Sequence, residues 1–152
     1  MARRSGGAMR RALLLAIVLA GCGCPCDATD IARDLAGDGA TDCGFVRLGD
    51  DPAPVLACAE QAIAEERAFS AGFARFGIDS EVRTYVTRRE DGSARALSYD
   101  GDPSGGDGAC PRLVAFRCVG PIERRTDGFG PRSVTILACS TSSTEEAVLC
   151  DR

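Results

Sequence analysis

Apolar and polar positions alternate with two different periods along this chain, and the change between them divides it. Val55, Leu56, Ala59, Ala62 and Ile63 recur at spacings of three, four and seven, with Glu60, Gln61 and Glu65 off the stripe, which predicts one amphipathic helix. Asp50-Asp51-Pro52 supplies its start, since proline at the first turn has no N–H to leave unpaired. Beyond Ala68 the period falls to two. In "EVRTYVTRRE", Val82, Thr84 and Val86 share one face while Glu81, Arg83, Tyr85 and Thr87 share the other, the pattern of a half-buried strand. Asp91-Gly92 turns that strand into "SARALSYD", a β-hairpin signature. Further strands are expected at 112–119 and 133–139, and an earlier one at 69–77, where "FSAGFARFG" could instead prolong the helix but Gly72 and the alternation of Phe69, Ala71 and Phe73 lean towards strand. Ser143-Thr144-Glu145-Glu146 fits a capping box and predicts a last helical turn ending near Cys150.

One helix and about five antiparallel strands predict an α+β domain of two layers, with the helix stripe on one sheet face and the other face wet. On that wet face Arg83, Tyr85, Arg95 and Arg117 form a mixed polar surface suited to a protein partner, or simply a solvated one. Before the helix, residues 27–44 read "DATDIARDLAGDGATDCG", with little to bury. They are expected to be a solvated tether holding a short helical turn at 29–35.

The front of the chain has a different logic. Arg3, Arg4, Arg10 and Arg11 precede the apolar run 12–20 with no acid among them, the charge order of a secretory signal peptide. Nine apolar residues are too few for a permanent anchor, because crossing a bilayer takes about 20. Leu19-Ala20-Gly21-Cys22 then resembles the lipobox of bacterial lipoproteins. The resemblance covers residues 1–22 and implies diacylglyceryl transfer to the Cys22 sulfur, cleavage before Cys22, and anchoring by acyl chains such as palmitate. Several chains give stable attachment at about 0.8 kcal/mol per buried methylene. Gly23 rather than aspartate in the next position implies, by the same resemblance, sorting to the outer membrane. Arg10-Arg11 is similar to part of a twin-arginine signal but lacks its flanking residues, so the general secretory route is favoured. Met1 and Met9 both serve as a start for this layout. The expected organisation is a signal peptide at 1–21, a lipidated N-terminus and flexible tether at 22–42, and a small domain at 43–152.

Removing 1–21 leaves 131 residues carrying 14 basic and 22 acidic side chains, a net charge of −8. Such a charge argues against nucleic acid and against docking driven by anionic headgroups. The chain has no histidine, lysine, asparagine or tryptophan. Lysine and asparagine have A-rich codons, so their absence points to a GC-rich genome. Without imidazole or lysine no Ser-His-Asp or Cys-His unit can form, and Ser104, Ser140, Ser142 and Ser143 have no activating base. No enzyme is expected. The lipobox and cysteine-rich layout resemble small, uncharacterised lipoproteins of GC-rich bacteria such as myxobacteria, a resemblance that brings no activity with it.

Nine cysteines become an even eight once Cys22 is assigned to lipid: Cys24, Cys26, Cys43, Cys58, Cys110, Cys118, Cys139 and Cys150. In an oxidising compartment these read as up to four disulfides, each worth about 2 to 4 kcal/mol. About 105 pairings exist. Short loops favour Cys43 with Cys58, Cys110 with Cys118 and Cys139 with Cys150, leaving Cys24 and Cys26 for each other or for a partner domain. Cys24-Pro25-Cys26 is a poor soft-metal site without histidine or methionine nearby, and no metal or cofactor is expected. The loop 100–107, with Asp100, Asp102 and Asp107 among glycines, invites a calcium reading, but Pro111 stands where an EF-hand needs its bidentate glutamate. A calcium-dependent module or envelope enzyme built on that loop is the alternative to the favoured expectation. The latter is a lipid-anchored envelope protein with a non-enzymatic binding or structural role, attached to the membrane through its lipid and to an envelope protein partner.

Overall fold

A computed structural model describes residues 26–77, 80–103, 110–128 and 130–150. The expected signal peptide, Cys22 and Cys24 lie outside the described residues, as does Asp107.

The fold is α+β and mostly sheet. Helix α1 (Ala28–Ala36) is followed by strand β1 (Thr41–Val46), helix α2 (Ala53–Ala64) and strand β2 (Phe69–Phe76). Strands β3 (Glu81–Arg88), β4 (Ala94–Asp100), β5 (Arg112–Arg117), β6 (Glu123–Asp127), β7 (Val134–Ala138) and β8 (Ala147–Cys150) complete the chain, with a short 3₁₀ turn at Gly130–Arg132. Six strands form one mixed sheet in the order β1-β2-β3-β4-β5-β8, while β6 and β7 make a separate hairpin. All neighbours in the large sheet are antiparallel except β1 and β2, which are parallel and joined through α2. Parallel neighbours need a crossover, and α2 provides it.

The sheet is covered on both faces, which corrects the expected two layers with one wet face. Strand alternation puts Phe69, Ala71, Phe73 and Val86 on one side, where they pack with Leu56, Ala59 and Ala62 of α2 and with Ile136 and Leu137 of β7. The opposite side carries Tyr85, Leu97, Leu113 and Ala115, packed against Ala28 and Ala32 of α1. A helix and a hairpin therefore sandwich the sheet from one side and a second helix closes the other. Among the described residues, three layers arise from two helices and eight strands rather than one helix and about five strands.

Residues 28–36 are thus a packed helix, not part of a tether. Asp27 caps it by accepting from the backbone N–H groups of Thr29 and Asp30, each at 3.0 Å, and Gly37, at φ 97°, ends it in a conformation other residues rarely adopt. Ala28, Ala32 and Ala36 are all buried along one face. Their small side chains let the helix lie close to the sheet, and the Thr29 hydroxyl meets the Tyr85 hydroxyl at 3.1 Å. The same close packing explains Gly72 in the middle of β2: a Cβ there would stand 2.6 Å from both the Phe45 and Tyr85 rings.

The expected last helical turn is strand β8 instead. Glu146 donates its N–H to the carbonyl of Ala115 at 2.7 Å, and the chain continues as an edge strand beside β5.

Three disulfides staple these layers. Cys43–Cys58 ties β1 to α2, in agreement with the spacing argument. Cys118–Cys139 joins the segment after β5 to the residue after β7, linking the large sheet to the hairpin. Cys26–Cys150 joins the start of α1 to the end of β8 across 124 residues. The expected pairs Cys110–Cys118, Cys139–Cys150 and Cys24–Cys26 are overturned, because topology brings distant strands together and so outweighs short loop length. Cys110 is also disulfide-bonded, to a residue outside the described ones.

Candidate functional site

The four residues expected on a wet polar surface do not share one. Tyr85 is buried under α1, with 2% of its surface exposed. Arg83 is half-buried and lies between aromatic rings, its guanidinium carbon 5.5 Å from the Phe45 centroid and 5.0 Å from that of Tyr99. Aromatic faces attract a cation in that range. Arg95 and Arg117 do meet, opposite each other in β4 and β5, and both donate to Glu146, at 2.6 Å and 3.3 Å. The hydrogen bond from Arg95 holds the Glu146 carboxyl below the ordinary glutamate range, with Arg117 adding to the effect. This cluster ties the start of β8 to the sheet while leaving the Arg117 side chain largely exposed.

The aspartate loop is also occupied with local structure where it is described. One Asp100 carboxylate oxygen accepts from the Ser80 hydroxyl at 2.8 Å and from the Asp102 backbone N–H at 3.0 Å, an Asx-type turn. Among the described residues no three carboxylates or thiols gather as a cation site.

A surface cleft of about 340 Å³ lies at one end of the sheet. Val46, Phe73 and Phe76 form its apolar floor, Val134 of the hairpin closes one wall, and Arg47 and Asp50 of the β1–α2 loop stand at the rim. Its wall is fixed by an ion pair: Arg75 on β2 donates to Asp127 at the end of β6, and also to the Thr84 hydroxyl at 3.1 Å. Asp50, Ser133 and Thr135 add polar groups to this lining, so the cleft is amphipathic. Sequence reasoning missed it because two of its walls come from β1 and from the loop before β7, neither of which has a period-two signature. The signal that was present is Phe76, an aromatic at the end of a strand, which remains 47% exposed.

No described helix is long and apolar enough to cross a membrane. Comparison with protein-family models, with curated proteins and with solved structures finds no match for this chain.

Proposed function

We propose that the chain is an exported lipoprotein of the bacterial cell envelope, anchored through Cys22, acting by binding or structural association rather than by catalysis. The observation that carries this reading is cysteine parity. All seven described cysteines are oxidised: six are paired with one another, and Cys110 has a partner elsewhere. Of the nine cysteines only Cys22 and Cys24 remain, so one takes Cys110 and the other is left over. The lipobox assigns the leftover to lipid, which makes Cys24 the partner of Cys110. Full oxidation of the described thiols fits an exported chain, since reducing compartments keep such bonds open. Gly23 after the lipid site favours the outer membrane, and the 340 Å³ cleft supplies the binding surface.

The test is Cys22→Ser in cells fed radioactive palmitate. Loss of label, loss of precursor cleavage and release from the membrane fraction support the reading. Unchanged labelling and retention refute it.

A further inference from the structure

We propose that the end of the sheet bearing Leu48 and Phe76 is seated on the bilayer surface, so that the domain is held flush and oriented rather than hanging from a tether. This rests on the lipidation of Cys22.

The expected tether is mostly consumed by structure, since α1 begins at Ala28 and Cys26 is bonded to Cys150. From Cys22 to Cys26 there are four peptide steps, which span at most about 14 Å when fully extended. The acylated sulfur therefore stays within that reach of the Cys26–Cys150 bridge. Strand register locates the bridge: Cys150 lies opposite Leu113 at the start of β5, and Arg112 lies opposite Asp100 at the end of β4. Asp100 is opposite Val82, and Val82 is opposite Arg75, next to Phe76 at the end of β2. The parallel strand β1 leaves the sheet on the same side, at Val46, and leads to Leu48. One end of the sheet thus holds the anchor point, Phe76 and Leu48.

Leu48 and Phe76 are 40% and 47% exposed there. They are not isolated from the anchor. Leu48 shares a surface hollow with Thr29, one turn into α1 from Cys26, and with Ala74 and Arg47, which also border the cleft beside Phe76. Leucine and phenylalanine beside arginine are the side chains that enter the boundary between headgroups and acyl chains. Among the described residues, the two other large exposed apolar side chains lie elsewhere: Val119 follows β5 at the opposite end, and Val148 is on the edge strand β8. The acidic balance of the mature chain gives an anionic surface no hold on it, so covalent lipid supplies the attachment and the apolar pair sets the orientation.

The chain has no tryptophan, so one introduced indole reports alone. The lipidated full-length product, carrying Phe76→Trp, Leu48→Trp, Val119→Trp or Val148→Trp, is placed in phosphatidylcholine vesicles brominated in the upper acyl chain. Intact mass verifies lipid on Cys22, and flotation verifies attachment. The proposal expects blue-shifted emission and bromine quenching for Phe76→Trp and Leu48→Trp, with neither for Val119→Trp. Quenching at none of the four sites, with lipid mass and flotation intact, overturns the seating and leaves lipidation standing. Quenching at Val148→Trp instead means edge-on seating and also overturns it. A blue shift at Phe76→Trp without bromine quenching means that protein, such as a second copy, covers the end, and overturns it too. Absence of the lipid mass overturns both proposals.

Discussion

In a background without the Cys110 bridge, removing the Cys26–Cys150 bridge should cost more stability than removing either of the other two described bridges. A cross-link acts mainly by restricting the unfolded chain, and its effect grows with the logarithm of the loop it closes. Cys43–Cys58 spans 15 residues and Cys118–Cys139 spans 21. The chain-entropy relation gives about 3.0 and about 3.3 kcal/mol for these loops. Cys26–Cys150 spans 124 residues, and with the two inner bridges intact but Cys24 and Cys110 replaced its loop still holds roughly 90, for which the relation gives about 4.6 kcal/mol. Native domains are stable by about 5 to 15 kcal/mol, so this loss takes much of the margin. The order also follows from packing, because Cys26 and Cys150 border the core between α1 and the sheet and hold both chain ends there. Alanine pairs replace each bridge in turn in the chain from residue 22 onward with Cys22→Ser, Cys24→Ala and Cys110→Ala, since a bridge at Cys110 would shorten the Cys26–Cys150 loop. Urea unfolding followed by circular dichroism, without reductant, then reads the three free energies. The expected ranking puts Cys26→Ala with Cys150→Ala as the largest loss by more than 1 kcal/mol. Equal losses, or the smallest loss for this pair, refute the reasoning.

Other outcomes follow from packing and charge. Gly72→Ala should destabilise by about 1 to 3 kcal/mol, since its new methyl meets the Phe45 and Tyr85 rings at 2.6 Å and the Tyr85 hydroxyl is held by Thr29; thermal unfolding should show Tm falling by several degrees, and an unchanged Tm contradicts the close approach. The Glu146 and Glu60 carboxyls are held below the ordinary range by hydrogen bonds from Arg95 and Arg124 respectively. A depressed folded-state value means stability that is present above the unfolded value and is lost as pH falls through the folded one. Tm should therefore drop on acidification below the ordinary glutamate range, less so in Glu146→Gln, and the difference should shrink in high salt because the pairs are partly exposed. Parallel acid curves for the two proteins would contradict it.

How much of this fold could be read beforehand varied with the kind of signal each element carries. Helix α2 and the β3–β4 hairpin were legible because their large side chains mark the buried face and Asp91-Gly92 marks the turn. The helical turn expected at 29–35 corresponds to α1, but its packing was not legible, because its fully buried residues are all alanine; small residues look unable to drive burial until the sheet they approach is known. Strand β1 was hidden by a bulge between Asp42 and Phe45 that breaks the alternation, and β6, "ERRTD", has no apolar side at all. Its existence depends on pairing with β7 and on ion pairs such as Arg124 with Glu60 of α2. The capping-box reading failed for a similar reason, since Glu145 and Glu146 are engaged by Arg112, Arg95 and Arg117 from the neighbouring strands. Tyr85 was assigned to a wet face because nothing local announced the cover, and the two long-range bridges were missed because they follow strand order rather than spacing. The proposed lipobox needs none of this, because it is read from four consecutive residues, Leu19 to Cys22.

The central claim is that one cysteine of nine carries lipid and the other eight are bonded to each other. Peptide mapping of the membrane-extracted protein by mass spectrometry, without reduction, tests it most directly. The account predicts a peptide joining Cys24 to Cys110, an N-terminal Cys22 bearing acyl mass, and no free thiol. A peptide joining Cys22 to Cys110 would contradict it.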